Sequence, residues 1–263
     1  MGLAKANFAV ALCIDAHVSF FDDDWSRQIV DHLLAHPQDV CCFRCPHLDL
    51  DQTDIHKATV VEYGGHIIDR EETRLTIMDN GVAQERAFRV MLPAQWNTAA
   101  YRAMAQQASE PIEVGCILGG AYAVHREWYE DGLGAPWRRQ RAWGSDEQHL
   151  ALPNFLLGGR NVLLPTNIAH VFRQDAPYTT NVAEIVYNSI LLCRLVLPEA
   201  EQVAAIEWVL EPWSGHSVRQ ESERLLDDID WHAYSEFLGR GPRTFEHYRQ
   251  RWIAKDAPSA TNS

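Results

Sequence analysis

Asp15-Ala16-His17 places a carboxylate and an imidazole two residues apart, directly after the apolar run Phe8-Ala9-Val10-Ala11-Leu12-Cys13-Ile14. In extended backbone, residues i and i+2 share a face, so both side chains can enter one crevice. A mixed oxygen and nitrogen donor set suits Mn²⁺ and related divalent ions, which can bridge two phosphates and stabilise a departing diphosphate. An isolated Asp-x-His is also what a loop carboxylate beside an ordinary histidine leaves in a sequence, so the triplet takes its meaning from the rest of the chain. Further along stand Gly119-Gly120, then Trp143-Gly144-Ser145-Asp146-Glu147, then His170-Val171-Phe172-Arg173, then Pro177-Tyr178-Thr179. The basic run Trp137-Arg138-Arg139-Gln140-Arg141 reads as either a solvated loop or a clamp for phosphate or an acceptor.

The elements that must position these residues follow from pattern. The run from Phe8 to Ile14 reads as a buried strand of a parallel sheet that stops at Asp15. A helix is expected from Trp25 to Ala35, with Asp22 to Asp24 as capping acids and Pro37 closing it. Together these make a βα unit. Val40 to Phe43 reads as a further buried strand. From about 58 to 93 the chain alternates in short β-like stretches broken by Gly64-Gly65 and Asn80-Gly81, an insertion of hairpins. Asn97 to Gln107 is a predicted helix, Glu113 to Val124 is strand-like, and a helical turn follows from Arg126 to Asp131. A helix over Asp146 to Leu157 ends at Gly158-Gly159, where glycine takes the left-handed cap, and Asn161 to Leu164 is a strand leading to His170. Helical periodicity dominates after Asn181, near 182–195, 198–210, 217–229, 231–238 and 244–254.

The chain has 263 residues, of which 46% are hydrophobic, enough for a substantial core in one large domain or two small ones. No apolar run approaches the ~18 residues of a membrane span and the first twenty residues lack a signal peptide pattern, so a cytoplasmic, soluble protein is expected. A formal charge of −13 argues against binding driven by long-range attraction to nucleic acid. Six cysteines are few for this length and fit a reducing compartment. Cys41-Cys42-Phe43-Arg44-Cys45-Pro46-His47 has the look of a zinc knuckle fragment. No second knuckle accompanies it, and small cysteines also pack as hydrophobes in a buried strand.

Taken together, Asp15-Ala16-His17, Gly119-Gly120-Ala121-Tyr122-Ala123-Val124, Trp143-Gly144-Ser145-Asp146-Glu147, His170-Val171-Phe172-Arg173 and Pro177-Tyr178-Thr179 resemble the catalytic half of polypeptide N-acetylgalactosaminyltransferases. In that family the motifs run in this order, as Asp-x-His, Gly-Gly-x-x-Ala-Ile, Trp-Gly-Gly-Glu, His-Val-Phe-Arg and Pro-Tyr-Thr. Each motif alone is unspecific; five in order and nearly in spacing, over roughly residues 3 to 190, are not. The resemblance implies an α/β fold of the GT-A type, Rossmann-like, with a mixed central sheet and flanking helices. The expected division is a GT-A core over 1–180, a helical C-terminal extension over 181–255 and a frayed tail at 256–263.

Carried over residue by residue, the resemblance makes Asp15, His17 and His170 the ligands of Mn²⁺ or another divalent cation. Gly119 and Gly120 would allow close backbone approach to the donor sugar. Arg173 would neutralise the leaving diphosphate, and Tyr178 would sit on a loop that closes over the donor. Trp143 would pack over donor or acceptor. At Ser145-Asp146-Glu147 the chain departs from the family's glycine and glutamate. Asp146 takes the glutamate's place if Gly158-Gly159 sets the register, whereas Glu147 matches by residue type, and the assignment stays open. That carboxylate would hold donor hydroxyls in a retaining enzyme, which the resemblance favours, or act as general base in an inverting one.

The expected reaction is transfer of a sugar from a nucleoside-diphosphate sugar, UDP-linked, to a hydroxyl acceptor. A nucleotide-binding segment of βαβ units, each taking ~30 residues, would precede Asp15 in such an enzyme. Fourteen residues stand before Asp15. The expectation is therefore a GT-A core truncated at its N-terminus, with a second chain supplying the nucleotide-binding half. The rivals are a rearranged donor pocket, a noncatalytic GT-A-like binding module, and a sugar transferase acting on nucleic acid through Arg138, Arg139 and Arg141.

Overall fold

The computed structural model describes residues 8–15, 18–46, 61–79, 82–96, 105–171 and 181–253. His17, His47, Arg173 and Tyr178 lie outside the described residues, as does most of the expected helix from Asn97 to Gln107, of which 105–107 are helical.

Asp39–Pro46 (β3) is the hub of a seven-stranded mixed sheet. The path across it runs Val10–Ile14 (β1), Ala121–His125 (β10), β3, Arg160–His170 (β11) and Val18–Phe20 (β2), with Val61–Tyr63 (β4) on β3 and Ile112–Glu113 (β9) on β11. β11 runs parallel to β3; the β1–β10, β10–β3 and β11–β2 pairs are antiparallel. Every residue of β3 except Arg44 is buried, because both faces of the strand are covered. Its alternation sends Val40 and Cys42 into one core and Cys41, Phe43 and Cys45 into the other. The cysteines act as small hydrophobes there. Cys42 points to the opposite face from Cys41 and Cys45, so the three cannot share one ion.

The second of those cores is roofed by Trp25–Ala35 (α1) through Ile29 and Leu33. The acids before this helix do not cap it as expected. Asp24 makes no side-chain bond to the helix backbone; it takes hydrogen bonds from Arg27 and Gln28 at 2.8 and 2.6 Å. Asp22 accepts from the Asn167 backbone N–H at 2.6 Å, tying the entry of α1 to the point where β11 shifts register. Asp39 fixes the other end of β11. It accepts a fork from Arg160 at 2.9 and 2.6 Å and lies 2.9 Å from His32 Nε2. Burial alone would raise the Asp39 carboxyl, but hydrogen bonds from His32 and Arg160 prevail and hold it low.

On the other face lie Asp146–Leu156 (α2), Val182–Val196 (α3), Glu199–Leu210 (α4), Ser217–Asp227 (α5) and Trp231–Gly239 (α6). α2 is followed by Gly158 at φ +97°, the left-handed position anticipated for its end. α3 is the buried spine of this layer. Gly65–Ile67 (β5) and Ala94–Trp96 (β8) pair antiparallel, and between them Arg70–Asp79 (β6) and Val82–Met91 (β7) pair as one long hairpin that leans on α4. There the guanidinium groups of Arg70 and Arg89 lie over the Trp208 ring at 5.7 and 5.4 Å. No helix among the described residues is long and apolar enough to cross a membrane.

One expectation needs correcting. The run from Phe8 to Ile14 is not a buried parallel strand; β1 spans Val10–Ile14, pairs antiparallel with β10, and among the described residues is the last strand on its side of the sheet. Phe8 is 80% and Ile14 53% exposed. An unbroken apolar run signals a strand, but which neighbours it meets depends on residues more than a hundred positions away.

Candidate active site

The cavity of about 440 Å³ opens where four element ends converge. β1 delivers Cys13, Ile14 and Asp15, the approach to β10 delivers Gly119, Gly120 and Tyr122, α2 delivers Asp146 and Glu147, and β11 ends in it with His170. Trp96, Trp137 and Trp143 complete its aromatic walls.

Sheet register explains how distant residues meet here. Ile14 pairs with Ala121, which sets Asp15 beside Gly120, and the Asp15 N–H donates to the Gly120 carbonyl at 2.8 Å. Val18 pairs with His170 across β2 and β11. With β1 ending at Ile14 and β2 starting at Val18, Asp15 comes back to the end of β11. Nε2 of His170 lies 3.1 Å from Oδ2 of Asp15, with the His170 side chain buried and the Asp15 side chain 58% exposed.

Gly120 is what makes room for that imidazole. A Cβ built on it would lie 2.3 Å from Cδ2 of His170 and 2.9 Å from Cγ2 of Val18, separations no side chain tolerates. Gly119 differs: its Cβ would meet Cys45 and Trp96 at ordinary contact distances, but its φ of +127° is one that only glycine adopts without strain.

The two acids at the head of α2 both face the cavity, with different partners. Oδ2 of Asp146 accepts the Gly144 N–H at 3.2 Å, and its carbonyl accepts Nε1–H of Trp137 at 2.8 Å. Oε1 of Glu147 accepts the Tyr122 hydroxyl at 2.7 Å. Burial raises both carboxyls, and the nearby Asp15 adds to each. Burial and the Glu147 charge likewise push the Tyr122 phenol up.

Such crowding of negative charge is what a cation relieves. The 3.1 Å between Asp15 Oδ2 and His170 Nε2 also matches two neighbouring ligands on one octahedral ion with bonds of ~2.1 Å. Among the described residues no cluster of three or more acid, histidine or cysteine ligands forms; Asp15 and His170 are two, and His17 lies outside that set. The donor set present fits a divalent cation.

Trp143 stands at the mouth, 56% exposed. Its loop is held from below by Asn188 of α3, a fully buried residue. Asn188 Oδ1 accepts the Arg141 N–H at 2.9 Å, and its Nδ2 donates to the carbonyls of Arg141 and Gly144 at 2.7 and 3.1 Å. The neighbouring arginines do not form a clamp. Arg138 pairs with Glu130, and Arg139 donates to the Gly134 carbonyl and lies 3.7 Å over the Tyr234 ring. Arg141, the third, is exposed.

Sequence reasoning passed over Tyr122, Trp96 and Asn188, and took Trp137 only as the start of a basic run. Tyr122 was within reach, since it lies two residues after Gly120 on the same strand face. Asn188 carried a signal too, as an amide in the middle of a largely apolar helix.

No family model matches the chain. Among curated proteins it is similar to the Caenorhabditis elegans protein named "Probable N-acetylgalactosaminyltransferase 8", 32% identical over 95 residues, which are 35% of this chain and 22% of that one. It is 28% identical over 75 residues to polypeptide N-acetylgalactosaminyltransferase 3 of Drosophila melanogaster, covering 28% of this chain and 11% of that protein. Polypeptide N-acetylgalactosaminyltransferase 10 of Mus musculus matches over 186 residues at 22% identity, covering 68% of this chain and 26% of that protein. The chain thus spans about a quarter or less of each of these relatives. A crystal structure of GalNAc-T7 with UDP, GalNAc and Mn²⁺ superposes on 97% of this chain, and on 42% of that one, with a TM-score of 0.56 at 14% identity. The fold is GT-A. Within this GT-A fold the mixed sheet carries the cavity at one end, and the helical layer from α3 onward backs it. The resemblance is to the catalytic half of these transferases.

Proposed function

We propose that this protein is a glycosyltransferase, moving a sugar from a UDP-linked donor to a hydroxyl acceptor with the help of a divalent cation, Mn²⁺ first, and with retention at the anomeric carbon. The observation that carries the reading is the Asp15–His170 contact inside a carboxylate-walled cavity of a GT-A fold. The similarity to N-acetylgalactosaminyltransferases supports it independently.

In this reading Asp15, His17 and His170 hold the cation, which when bound supplies positive charge to the departing diphosphate. The chain's own residues do the rest. Gly120 leaves His170 room to turn Nε2 toward Asp15. Asp146 and Glu147 accept hydrogen bonds from sugar hydroxyls, and Trp143 at the rim shields the reacting bond from water. Arg173 meets the diphosphate and Tyr178 closes the donor side. A second chain supplying a nucleotide-binding unit would extend the sheet at β1, whose outer edge carries no strand among the described residues.

Calorimetric titration of UDP into the protein, with Mn²⁺ and with chelator, tests the reading. Binding that requires Mn²⁺ is expected. Absence of binding under both conditions, also with the neighbouring gene products supplied, would overturn it. Retention is read separately, from the anomeric proton coupling of the product.

A further inference from the structure

A second cavity, of about 460 Å³, shares no lining residue with the one at His170. It opens along β11 where β9 stops pairing at Leu163 and β2 does not begin until Ile168. Asp22, Gln28, His32 and Ser109 line it beside residues 164–167. Its polar groups are held in place. Thr166, fully buried, donates its hydroxyl to Oε1 of Gln28 at 2.8 Å, and Nε2 of Gln28 donates to Asp24 at 2.6 Å. Both oxygens of Asp22 accept from Asn167. The His32 side chain is 10% exposed, and its Nε2 lies 2.9 Å from the Asp39 carboxylate, which Arg160 also grips and which is held low and ionised. With its proton on Nε2, toward that carboxylate, the ring presents a lone pair at Nδ1. Nδ1 has no hydrogen-bond partner among the described residues. A nearly buried imidazole, oriented by a carboxylate and left with one open nitrogen, is built to meet a ligand, because leaving that nitrogen unpaired is costly.

The lining also selects the class of ligand. Arg160 already forks onto Asp39 through Nε and Nη2, and Asp22 is a carboxylate, so the cavity does not favour an anion. Apart from the His32 imidazole it has no aromatic wall for a nucleobase. Pro165 lacks the N–H that an added strand would bond there. An imidazole acceptor, a carboxylate and the Ser109 hydroxyl together suit a neutral ligand rich in hydroxyls, each of which both donates and accepts.

We propose that this cavity is a second saccharide site, holding a sugar unit that does not itself react. Asn167 in its wall and His170 in the other cavity are separated by about 10 Å of β11. Where the sugar-transfer reading holds, a glycan seated at His32 therefore keeps its far end at high effective concentration beside Asp15 and His170. The site itself does not depend on that reading.

The test follows amide shifts by nuclear magnetic resonance as the methyl glycosides of glucose, galactose, mannose and N-acetylglucosamine are titrated into the full chain, without UDP or Mn²⁺. At least one glycoside should move the amides of Ser109, Leu164, Thr166 and Asn167, and saturating UDP with Mn²⁺ should not displace it. Ser109→Trp, at an exposed position that the fold tolerates, should abolish those shifts by filling the mouth. His32→Gln should raise the Kd about fivefold, the loss of one hydrogen bond, and Ser109→Trp serves if that variant does not fold. Four results would overturn the proposal: no shift with any glycoside, shifts confined to Asp15, Gly120 and Glu147, shifts unchanged in both variants, or stronger shifts of the same amides with inorganic phosphate or methylammonium at equal concentration. Failure of UDP to bind would overturn the sugar-transfer reading and leave this site standing.

Discussion

Oδ2 of Asp15 and Nε2 of His170 meet at 3.1 Å across 155 residues of chain, brought there by the pairing of β2 with the end of β11. If this pair holds a divalent cation, Mn²⁺ should raise the melting temperature of the wild type, since a ligand that binds only the folded state stabilises it. His170→Ala and Asp15→Ala should lose that rise and bind UDP at least about tenfold more weakly in Mn²⁺. Scanning calorimetry with and without metal reads both effects; an undiminished Mn²⁺ response in either variant would contradict the pairing.

Gly120→Ala should damage the site more than its one methyl group suggests. The added carbon collides with the His170 ring and with Val18, so the imidazole must move away from Asp15. A loss of about 1–3 kcal/mol in stability is expected from the overpacking, together with a loss of the Mn²⁺ response. Gly119→Ala is the matched control. It strains the backbone at φ +127° without touching His170, so stability should fall while the metal response persists. Urea unfolding and metal-dependent melting of the two variants, side by side, distinguish these outcomes.

Asn188 should prove to be a positioning residue for Trp143. Its amide holds the Arg141–Gly144 loop through three backbone partners within 3.1 Å. Asn188→Ala leaves those groups unpaired and should cost about 1–3 kcal/mol. More tellingly, amide hydrogen exchange in the loop should accelerate, while exchange in β3 and β11 stays slow. Uniform acceleration everywhere would indicate a purely global loss of stability.

His149 sets a pH dependence of stability. It is 1% exposed, its Nε2 lies 2.9 Å from the Asn188 carbonyl, and burial depresses it from 6.5 to about 4. The folded state therefore holds it neutral where the unfolded chain would protonate it. Its stabilising contribution is complete above about pH 6.5 and is lost as the pH falls toward 4, by about 3 kcal/mol over the window. Asp146 and Glu147, both raised, act with the opposite sign near the acid end. Urea midpoints measured from pH 7 to 4 should fall less steeply in His149→Gln than in the wild type; parallel slopes would rule the histidine out as the cause.

Local pattern was enough to read much of the scaffold. α1 begins at Trp25 and ends at Ala35 as its apolar spacing requires, and the helices after Asn181 follow their periodicity to within a few residues. The burial of Cys41 and Cys42 was likewise legible, because small cysteines in an apolar run pack as hydrophobes in a buried strand. What pattern does not carry is adjacency. Nothing near Val10 reveals that it faces His125 in reverse, and nothing near Glu147 reveals Tyr122. The motifs drew attention to Gly120, but only the fold shows that the His170 ring occupies its missing side chain. Between Asp146 and Glu147, type and register pointed different ways; the structure puts both in the cavity and distinguishes them by partner.

The outer edge of β1 has consequences for handling as much as for chemistry. Among the described residues no strand pairs with it there, and Phe8, just before the strand, and Ile14, at its end, are turned to solvent. Edges of this kind template further strands. Prepared alone, the protein should therefore self-associate as its concentration rises, and Ile14→Lys should suppress this in light scattering. If another polypeptide docks on that edge, the thermal stability of the sheet becomes linked to the abundance of its partner, and a titration of melting temperature against candidate partners would identify it without any enzymatic assay.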